Sequence, residues 1–210
     1  TVEAYRKKYR ELPYDPDDPT ISVVDAYADF GSPVPGRLIG GGTAKSDGIE
    51  LLLQKKLARA LYGTASYSIS RSRYTDLLGT ERDRNFDNRH LVSLIVGYRP
   101  SDRWEYSLRW VYAGGRPRTP FDVETSSALN TGIIDPALVN SKRYEAYHRL
   151  DLRFDHRRHY ANYNLVLFFS VLNAYNRANI FTYYWDNEDR EVDRIDQWKL
   201  LPIGGFELEF

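Results

Sequence analysis

The clearest pattern in the sequence is an alternation of apolar and polar residues with a period of two. In residues 103–113, Trp104, Leu108 and Tyr112 fall on one face and Glu105 and Arg109 on the other. This period is that of a β-strand with one apolar and one polar face. The pattern predicts eight strands, at about residues 1–12, 48–58, 61–75, 89–99, 103–113, 146–157, 162–174 and 199–210.

The connections between these strands alternate between long and short. Short turns follow the second, fourth and sixth strands, and no segment has a sustained helical period. An up-and-down barrel of an outer membrane has this asymmetry, with short periplasmic turns and long extracellular loops. The predicted long loops are rich in proline or charge and cover residues 13–46, 76–88, 114–145 and 176–197.

The size of the apolar side chains indicates which face of the strands is outside. An eight-stranded barrel has an interior that side chains just fill, with no room for so many Trp, Tyr, Phe and Leu residues. The strands also approach the 9–11 residues that cross a bilayer, whereas strands of soluble sheets are commonly about 5–6 residues long. We therefore predict an all-β, antiparallel transmembrane barrel segment with its apolar face toward lipid. A soluble two-sheet sandwich, which could bury the same residues, stays open as an alternative.

The polar face has the character of a wetted wall. Five hydroxyl side chains occupy consecutive polar positions of the third strand, and such a row is unusual in a dry core. On the sixth strand, charges of alternating sign predict a network of ion pairs that is structural rather than a transport path. The two rows are Thr64, Ser66, Ser68, Ser70, Ser72 and Arg149, Asp151, Arg153, Asp155.

Composition narrows the classes of function. The 210 residues carry 29 basic and 29 acidic side chains, so no basic excess indicates nucleic acid as a partner. The absence of cysteine excludes a disulfide framework, a thiolate metal site and a cysteine nucleophile. No apolar run reaches the roughly 18 residues of a spanning helix. No catalytic constellation is apparent, so we expect neither an enzyme nor a bound cofactor.

Some local patterns suggest ligand chemistry but are better interpreted as structural. Gly40–Ser46 faintly resembles a phosphate loop, yet Ala44 stands where a glycine is required and no helix is predicted to follow. His156 and His159 would point apart on a strand and its turn. Two acidic runs, Asp15–Asp18 and Asp186–Asp196, lack the spacing and glycine of a calcium loop. No metal site is therefore predicted.

Six short stretches, in this order along the chain, carry a resemblance to one family. They are Gly48–Gln54, Phe86–His90, Gly114–Pro117, Tyr147–Arg153, Leu172–Ile180 and Pro202–Phe210. Each is a weak signal alone, but together they span nearly the whole chain. On these motifs the chain is similar to the carboxy-terminal part of a TonB-dependent outer-membrane receptor.

The resemblance implies a barrel of about 22 strands, of which residues 1–210 would supply the last eight. It implies TonB-energised uptake of a scarce nutrient, such as a metal chelate or a saccharide, across the outer membrane of a Gram-negative bacterium. A plug domain and a TonB box are absent from this sequence, so contact with TonB would need an upstream part. Because position 1 is not methionine and no signal peptide is apparent, we expect the chain to be a piece of a longer protein.

Two sets of residues are candidates for binding. Phe206, Leu208 and Phe210 resemble the signal read by the barrel-assembly machinery, although contact with lipid would also account for them. Ligand recognition is expected in the long loops, where cationic and aromatic side chains are available for a small-molecule ligand. These candidate ligand contacts are Arg116, Arg118, Tyr183, Tyr184 and Trp185.

Two other functions remain open alternatives at this point. One is a stand-alone eight-stranded outer-membrane barrel with a structural or adhesive role. The other is a soluble β-sandwich that acts as a binding module.

Overall fold

The computed structural model describes residues 1–26 and 36–210. Helix α1 (Val23–Ala26) and helix α2 (Val123–Leu129) are short, and a 3-10 turn covers Pro136–Leu138. The strands are β1 (Val2–Asp15), β2 (Asp18–Ser22), β3 (Ile39–Ala58), β4 (Leu61–Thr75), β5 (Glu81–Asp83), β6 (His90–Tyr98), β7 (Trp104–Ala113), β8 (Pro117–Arg118), β9 (Lys142–Arg143), β10 (Tyr147–His159), β11 (Asn164–Leu172), β12 (Ile180–Asp186), β13 (Glu191–Asp196) and β14 (Leu201–Glu209).

One ten-stranded antiparallel sheet contains all eight predicted strands. Its order is β14-β11-β10-β7-β6-β4-β3-β1-β2, with β5 paired to β4, so the long strands are joined to their sequence neighbours as a meander. The prediction of an all-β antiparallel fold is confirmed. In the part of the chain that the structure describes, β1 and β14 are not paired with each other.

The first long loop was predicted over too wide a range. β1 continues to Asp15 and β3 begins at Ile39, and the two pair as far as Tyr14 and Ile39. Tyr14 and Tyr74 are fully buried and pack with Leu12 and Ala44. This small core stabilises the extended hairpin. The hairpin was not predicted at this length, because the prolines and glycines of the stretch favour a loop locally. The rest of the predicted loop lies partly outside the described residues.

The other long loops also contain regular structure. Helix α2 contradicts the expectation of no helix, and it is only seven residues long. Its N-cap is Asp122, which accepts a hydrogen bond from the backbone N–H of Thr125 at 3.0 Å. β12 and β13 form a hairpin inside the predicted loop 176–197. No helix in the described part of the chain is both long and apolar enough to cross a membrane.

The strand register gathers the apolar residues onto one face of the sheet. Leu94 pairs with Trp110, and Trp110 pairs with Leu150, so neighbouring strands align their apolar rows. Trp104 is 44% and Phe206 69% exposed on this face. Within residues 1–26 and 36–210 no second layer covers these side chains, as a sandwich would require.

Candidate functional site

The four long connections all lie at the same end of the strands. Three of them are fully described, and the first is described in part. These four segments are interlocked rather than independent. Arg84 donates through Nε to both carboxylate oxygens of Asp25 at 3.1 Å, and the Asp25 carboxylate is fully buried. The Tyr74 hydroxyl donates to the carbonyl of Thr20 at 2.9 Å. These contacts fasten the first long segment to the second and to β4.

Arg143 joins the second loop to the third. Its Nη2 donates to the carboxylates of Asp83 and Asp87 at 2.6 Å each, and its Nη1 donates to the carbonyl of Gly115 at 2.9 Å. The Asp87 carboxylate is fully buried and also accepts from the backbone N–H of Ser72 at 2.8 Å. Charge-assisted hydrogen bonds of this kind are stronger than neutral ones.

Three of the five candidate ligand contacts meet above this network. The Arg118 guanidinium lies 4.1 Å from the Tyr183 ring centroid, and the Arg116 guanidinium lies 4.8 Å from that of Tyr144. The Tyr144 and Tyr183 rings are 5.3 Å apart. We call Arg116, Arg118, Tyr144 and Tyr183 the arginine–tyrosine cluster. Tyr144 was not among the residues predicted from the sequence, because only the pairing of β8 with β9 places it beside Arg116.

The other two candidate contacts lie elsewhere. Trp185 is only 8% exposed and packs against Phe121, with ring centroids 6.4 Å apart. Tyr184 points to the opposite side of β12, where its hydroxyl donates to Asp193 at 3.1 Å. That hydrogen bond raises the pKa of the Tyr184 phenol. The contact of Trp185 with Phe121 therefore packs the fourth loop against the third. The Tyr184 hydroxyl is hydrogen-bonded within the β12–β13 hairpin.

A hollow of about 880 Å³ adjoins the arginine–tyrosine cluster, with Arg116 and Tyr144 in its wall. A second hollow of about 640 Å³ lies against the polar face of the sheet. Ala113 and Tyr147 line both, so the two are neighbours. The second is walled in part by polar-face side chains from five strands, namely Glu50, Ser66, Ser93, Arg109 and Arg149.

The predicted ion-pair row lies along this polar face. Arg149 pairs with Asp151 at 2.8 Å, and Arg153 pairs with Asp155 at 2.6 Å. Asp151 also accepts from the backbone N–H of Asn173 at 3.0 Å. The row therefore links β10 to the segment that follows β11.

The asparagines of the stretch 172–180 act as backbone connectors. Asn173 is 1% exposed, and its side chain bonds the carbonyl and the N–H of Arg177 at 2.8 and 3.1 Å. Asn179 bonds the N–H and carbonyl of His148 at 3.1 and 3.0 Å. Unpaired backbone groups at the end of a strand are thereby satisfied. These residues tie the segment that leads into the β12–β13 hairpin to β10.

The patterns interpreted as structural lie in ordinary surroundings. Gly40–Ser46 belongs to β3 and not to a phosphate loop. The His156 ring packs 4.2 Å from that of Trp104, whereas His159 bonds Asn164 across the strand pair. Within the described ranges, no group of three or more His, Asp or Glu side chains is arranged to hold a metal ion.

Phe206, Leu208 and Phe210 lie at one edge of the sheet. Phe206 pairs with Leu167, and Leu208 pairs with Leu165, so both belong to the apolar face. Phe206 is 69% and Phe210 97% exposed. Exposed aromatic and aliphatic groups in a row are suited to contact lipid or another protein.

A search of curated proteins found no match. The chain is similar to the crystal structure of the ferric-catecholate import receptor Fiu from Escherichia coli K12 in its closed form, with a TM-score of 0.58 and 14% sequence identity. The match covers 99% of this chain and 25% of that one, so this chain spans about a quarter of that receptor. At this identity the likeness supports the fold alone.

The sequence also matches a family description, "TonB dependent receptor-like, beta-barrel", over residues 1–176. That span includes β1 to β11 and most of the motifs on which the resemblance was based. The recognised family is one of receptors and transporters rather than enzymes. The chain therefore belongs to the TonB-dependent receptor β-barrel family.

Proposed function

We propose that residues 1–210 form the carboxy-terminal portion of the barrel of an outer-membrane receptor in a Gram-negative bacterium. The complete receptor takes up a scarce nutrient, such as a metal chelate or a saccharide, with energy delivered through TonB. In this proposal the plug domain and the contact with TonB belong to a part of the receptor upstream of Thr1.

The observation that carries the proposal is the division of one sheet into two chemically different faces. One face carries exposed aromatic and aliphatic rows, and hydrocarbon is the surrounding in which such rows are stable. The other carries serines and ion pairs such as Arg153–Asp155, which require water or polar partners. A nutrient path along the polar face is consistent with both properties.

The arginine–tyrosine cluster is the proposed ligand contact. Arg118 has a buried Nε without a hydrogen-bond partner among the described residues, and its guanidinium lies over the Tyr183 ring. Cations beside aromatic rings suit a ligand that is both anionic and aromatic. A ferric catecholate has this character, and the similar Fiu structure is described as a receptor for such complexes.

The row Phe206, Leu208 and Phe210 is proposed to be read by the barrel-assembly machinery before it contacts lipid. Its exposure on the apolar face is compatible with successive contacts to a protein and to acyl chains. Because recognition during assembly precedes contact with lipid, the same three side chains can take part in both.

An uptake assay tests the receptor function. The complete gene is expressed in a Gram-negative host that lacks its own receptors for iron chelates and maltodextrins, with and without TonB. Radiolabelled iron is supplied as a catecholate chelate and as a hydroxamate chelate, and radiolabelled maltodextrin is supplied separately. We expect accumulation of one of these nutrients that requires both the gene and TonB.

Accumulation of none of the three would reject uptake of these nutrient classes. Accumulation that is equal with and without TonB would reject energy coupling. Recovery of the protein outside the outer-membrane fraction would reject the proposed location, and a protein that migrates identically before and after heating would reject a closed barrel.

A further inference from the structure

The hollow of about 640 Å³ on the polar face of the sheet has ends of opposite charge. Glu3 of β1 and Glu50 of β3 line its acidic end, and Arg109 of β7 and Arg149 of β10 line its basic end. The floor between the two ends belongs to β4 and β6 and carries three hydroxyl side chains, those of Ser66, Ser68 and Ser93. We call this space the bipolar hollow.

The acidic end consists of two carboxylates on cross-strand partners. Glu3 lies directly opposite Glu50 in the register of β1 and β3. Both residues are exposed, and neither forms an ion pair with any residue that the structure describes. Like charges directly opposite one another in a sheet are destabilising. A cation placed between the two carboxylates would therefore relieve their repulsion.

The basic end contains an arginine whose natural partner is already occupied. Asp151 lies opposite Arg109 in the register of β10 and β7. The Asp151 carboxylate is instead bound by Arg149 at 2.8 Å and by the backbone N–H of Asn173 at 3.0 Å. Arg109 is exposed and makes no ion pair within residues 1–26 and 36–210. Its guanidinium can therefore pair with an anion in the hollow.

The distance between the two ends excludes a single small zwitterion. In the sheet, Glu50 on β3 and Arg109 on β7 are three strand spacings apart, which is roughly 14 Å. A free amino acid carries its ammonium and carboxylate groups on one residue and cannot reach both ends. An extended peptide covers about 3.3–3.6 Å per residue, so roughly four residues match this spacing.

The floor of the hollow suits a peptide backbone. Each peptide unit presents one N–H donor and one C=O acceptor, and a serine hydroxyl can both accept and donate. Ser66 and Ser93 are cross-strand partners, so two such hydroxyls are adjacent. A purely anionic ligand such as a ferric catecholate would complement the basic end but would lie against the carboxylates of the acidic end.

We propose that the bipolar hollow binds a short peptide with free ends, its ammonium group at the acidic end and its carboxylate at the basic end. The proposal adds short peptides to the nutrients that the complete receptor takes up. It rests on the proposed function, because that function places the polar face on the path of a nutrient. Ala113 and Tyr147 also line the hollow beside the arginine–tyrosine cluster, so a peptide can pass from the long loops to the bipolar hollow.

The test measures binding of tetraalanine to the complete receptor, purified in detergent, by calorimetric titration. Two blocked forms of the probe are compared with it, one acetylated at the amino end and one amidated at the carboxyl end. Each block removes one charge, so we expect each blocked form to bind about tenfold more weakly than tetraalanine. Free alanine, which cannot span the hollow, should bind about tenfold more weakly or less.

Variants of the receptor assign each end of the peptide to one end of the hollow. E3Q/E50Q should weaken binding of tetraalanine about tenfold and leave binding of the acetylated probe unchanged. R109Q should weaken tetraalanine equally and leave the amidated probe unchanged. The matched controls R103Q and E207Q remove exposed charges that line another hollow of the sheet, and they should bind tetraalanine as the wild type does. Heat-modifiable migration checks that each variant is folded.

No binding of tetraalanine by the wild type would overturn the proposal, and so would equal losses in R109Q and R103Q. Losses that do not depend on which end of the probe is blocked would also overturn it. Because binding is measured without transport, selective binding with no TonB-dependent uptake of any nutrient would overturn only the proposed function. TonB-dependent uptake of a chelate or a saccharide, with no binding of the peptide, would overturn only this inference.

Discussion

The ring of Phe168 lies directly over Gly205 of the neighbouring strand. The two residues are cross-strand partners, and a Cβ at position 205 would come within 2.7 Å of the ring. The Arg153 guanidinium also lies over the ring, 4.4 Å from its centroid. Tyr62 over Gly97 repeats the arrangement on the same polar face. A glycine opposite each ring lets an aromatic side chain lie flat on a face that is otherwise polar.

Gly205→Ala should therefore destabilise the barrel. The added methyl group forces the Phe168 ring from its position against Arg153, and overpacking of this kind costs about 1–3 kcal/mol. The measurement is urea-induced unfolding of the complete receptor in lipid vesicles. Gly204→Ala is the matched control, because its nearest contact is the Phe168 carbonyl at 3.7 Å. Equal losses in both variants would contradict the role of the ring.

Arg143→Met should loosen the loops that Arg143 joins. The fully buried Asp87 carboxylate would lose its closest cation, which costs about 3 kcal/mol or more when a buried pair is broken. Hydrogen exchange should increase over residues 76–88 and near Gly115. Arg99→Met, whose partner Asp102 is 89% exposed, should change stability by less than about 1 kcal/mol. Unchanged exchange over 76–88 would refute the linking role of Arg143.

Helix α2 should lose protection in acid. Hydrogen bonds from the hydroxyl and backbone N–H of Thr125 hold the pKa of Asp122 below its usual value of 3.8. A depressed pKa in the folded state means that the cap stabilises the helix above pH 3.8 and fails as the pH falls through the lowered pKa. Hydrogen exchange of residues 123–129, corrected for intrinsic rates, measures this loss.

Two variants at Asp122 separate the cap from general acid unfolding. Asp122→Ala should show weak protection of α2 at every pH, because no side-chain acceptor remains. Asp122→Asn keeps an acceptor that does not titrate, so its protection should be independent of pH in this range. A pH-dependent loss in the Asn variant would assign the effect to another group.

Arg118→Ala should weaken binding of the transported nutrient. The substitution removes the cation over Tyr183, and loss of a charged contact with the ligand reduces affinity by about tenfold or more. Binding to intact cells and transport at saturation are measured separately. Tyr184→Phe removes only the hydrogen bond to Asp193 and should leave affinity unchanged. Equal effects of the two substitutions would argue against the arginine–tyrosine cluster.

The strands were predictable because their signal is local. In β7, every second side chain from Trp104 to Tyr112 is apolar. This alternation is visible in the sequence whether the apolar face contacts lipid or a protein core. The extension of β3 back to Ile39 was not predictable in this way. Gly40 and Gly41 favour a loop locally, and the strand exists because Pro13 and Leu12 of β1 lie opposite them.

The candidate ligand contacts were predictable by type but not by arrangement. Arginine and aromatic residues in long loops indicate binding in general, and on this basis both Arg118 and Trp185 were predicted to contact a ligand. Whether such a residue faces a hollow or a neighbouring loop depends on contacts between segments far apart in sequence. The Phe121 ring packs against Trp185. The Arg118 guanidinium instead lies over the Tyr183 ring, and its buried Nε has no hydrogen-bond partner among the described residues.

By itself the sequence determined the eight long strands, their two faces and the family. The strands and faces follow from the local alternation of apolar and polar residues, and the family follows from short motifs. Only the tertiary structure decided which side chains meet across strands and loops. The setting of Lys8 beside Lys45 and Arg73, and of Phe168 upon Gly205, follows from strand register. Register is a property of paired segments, because shifting one strand by a single residue would exchange its faces and remove every such contact.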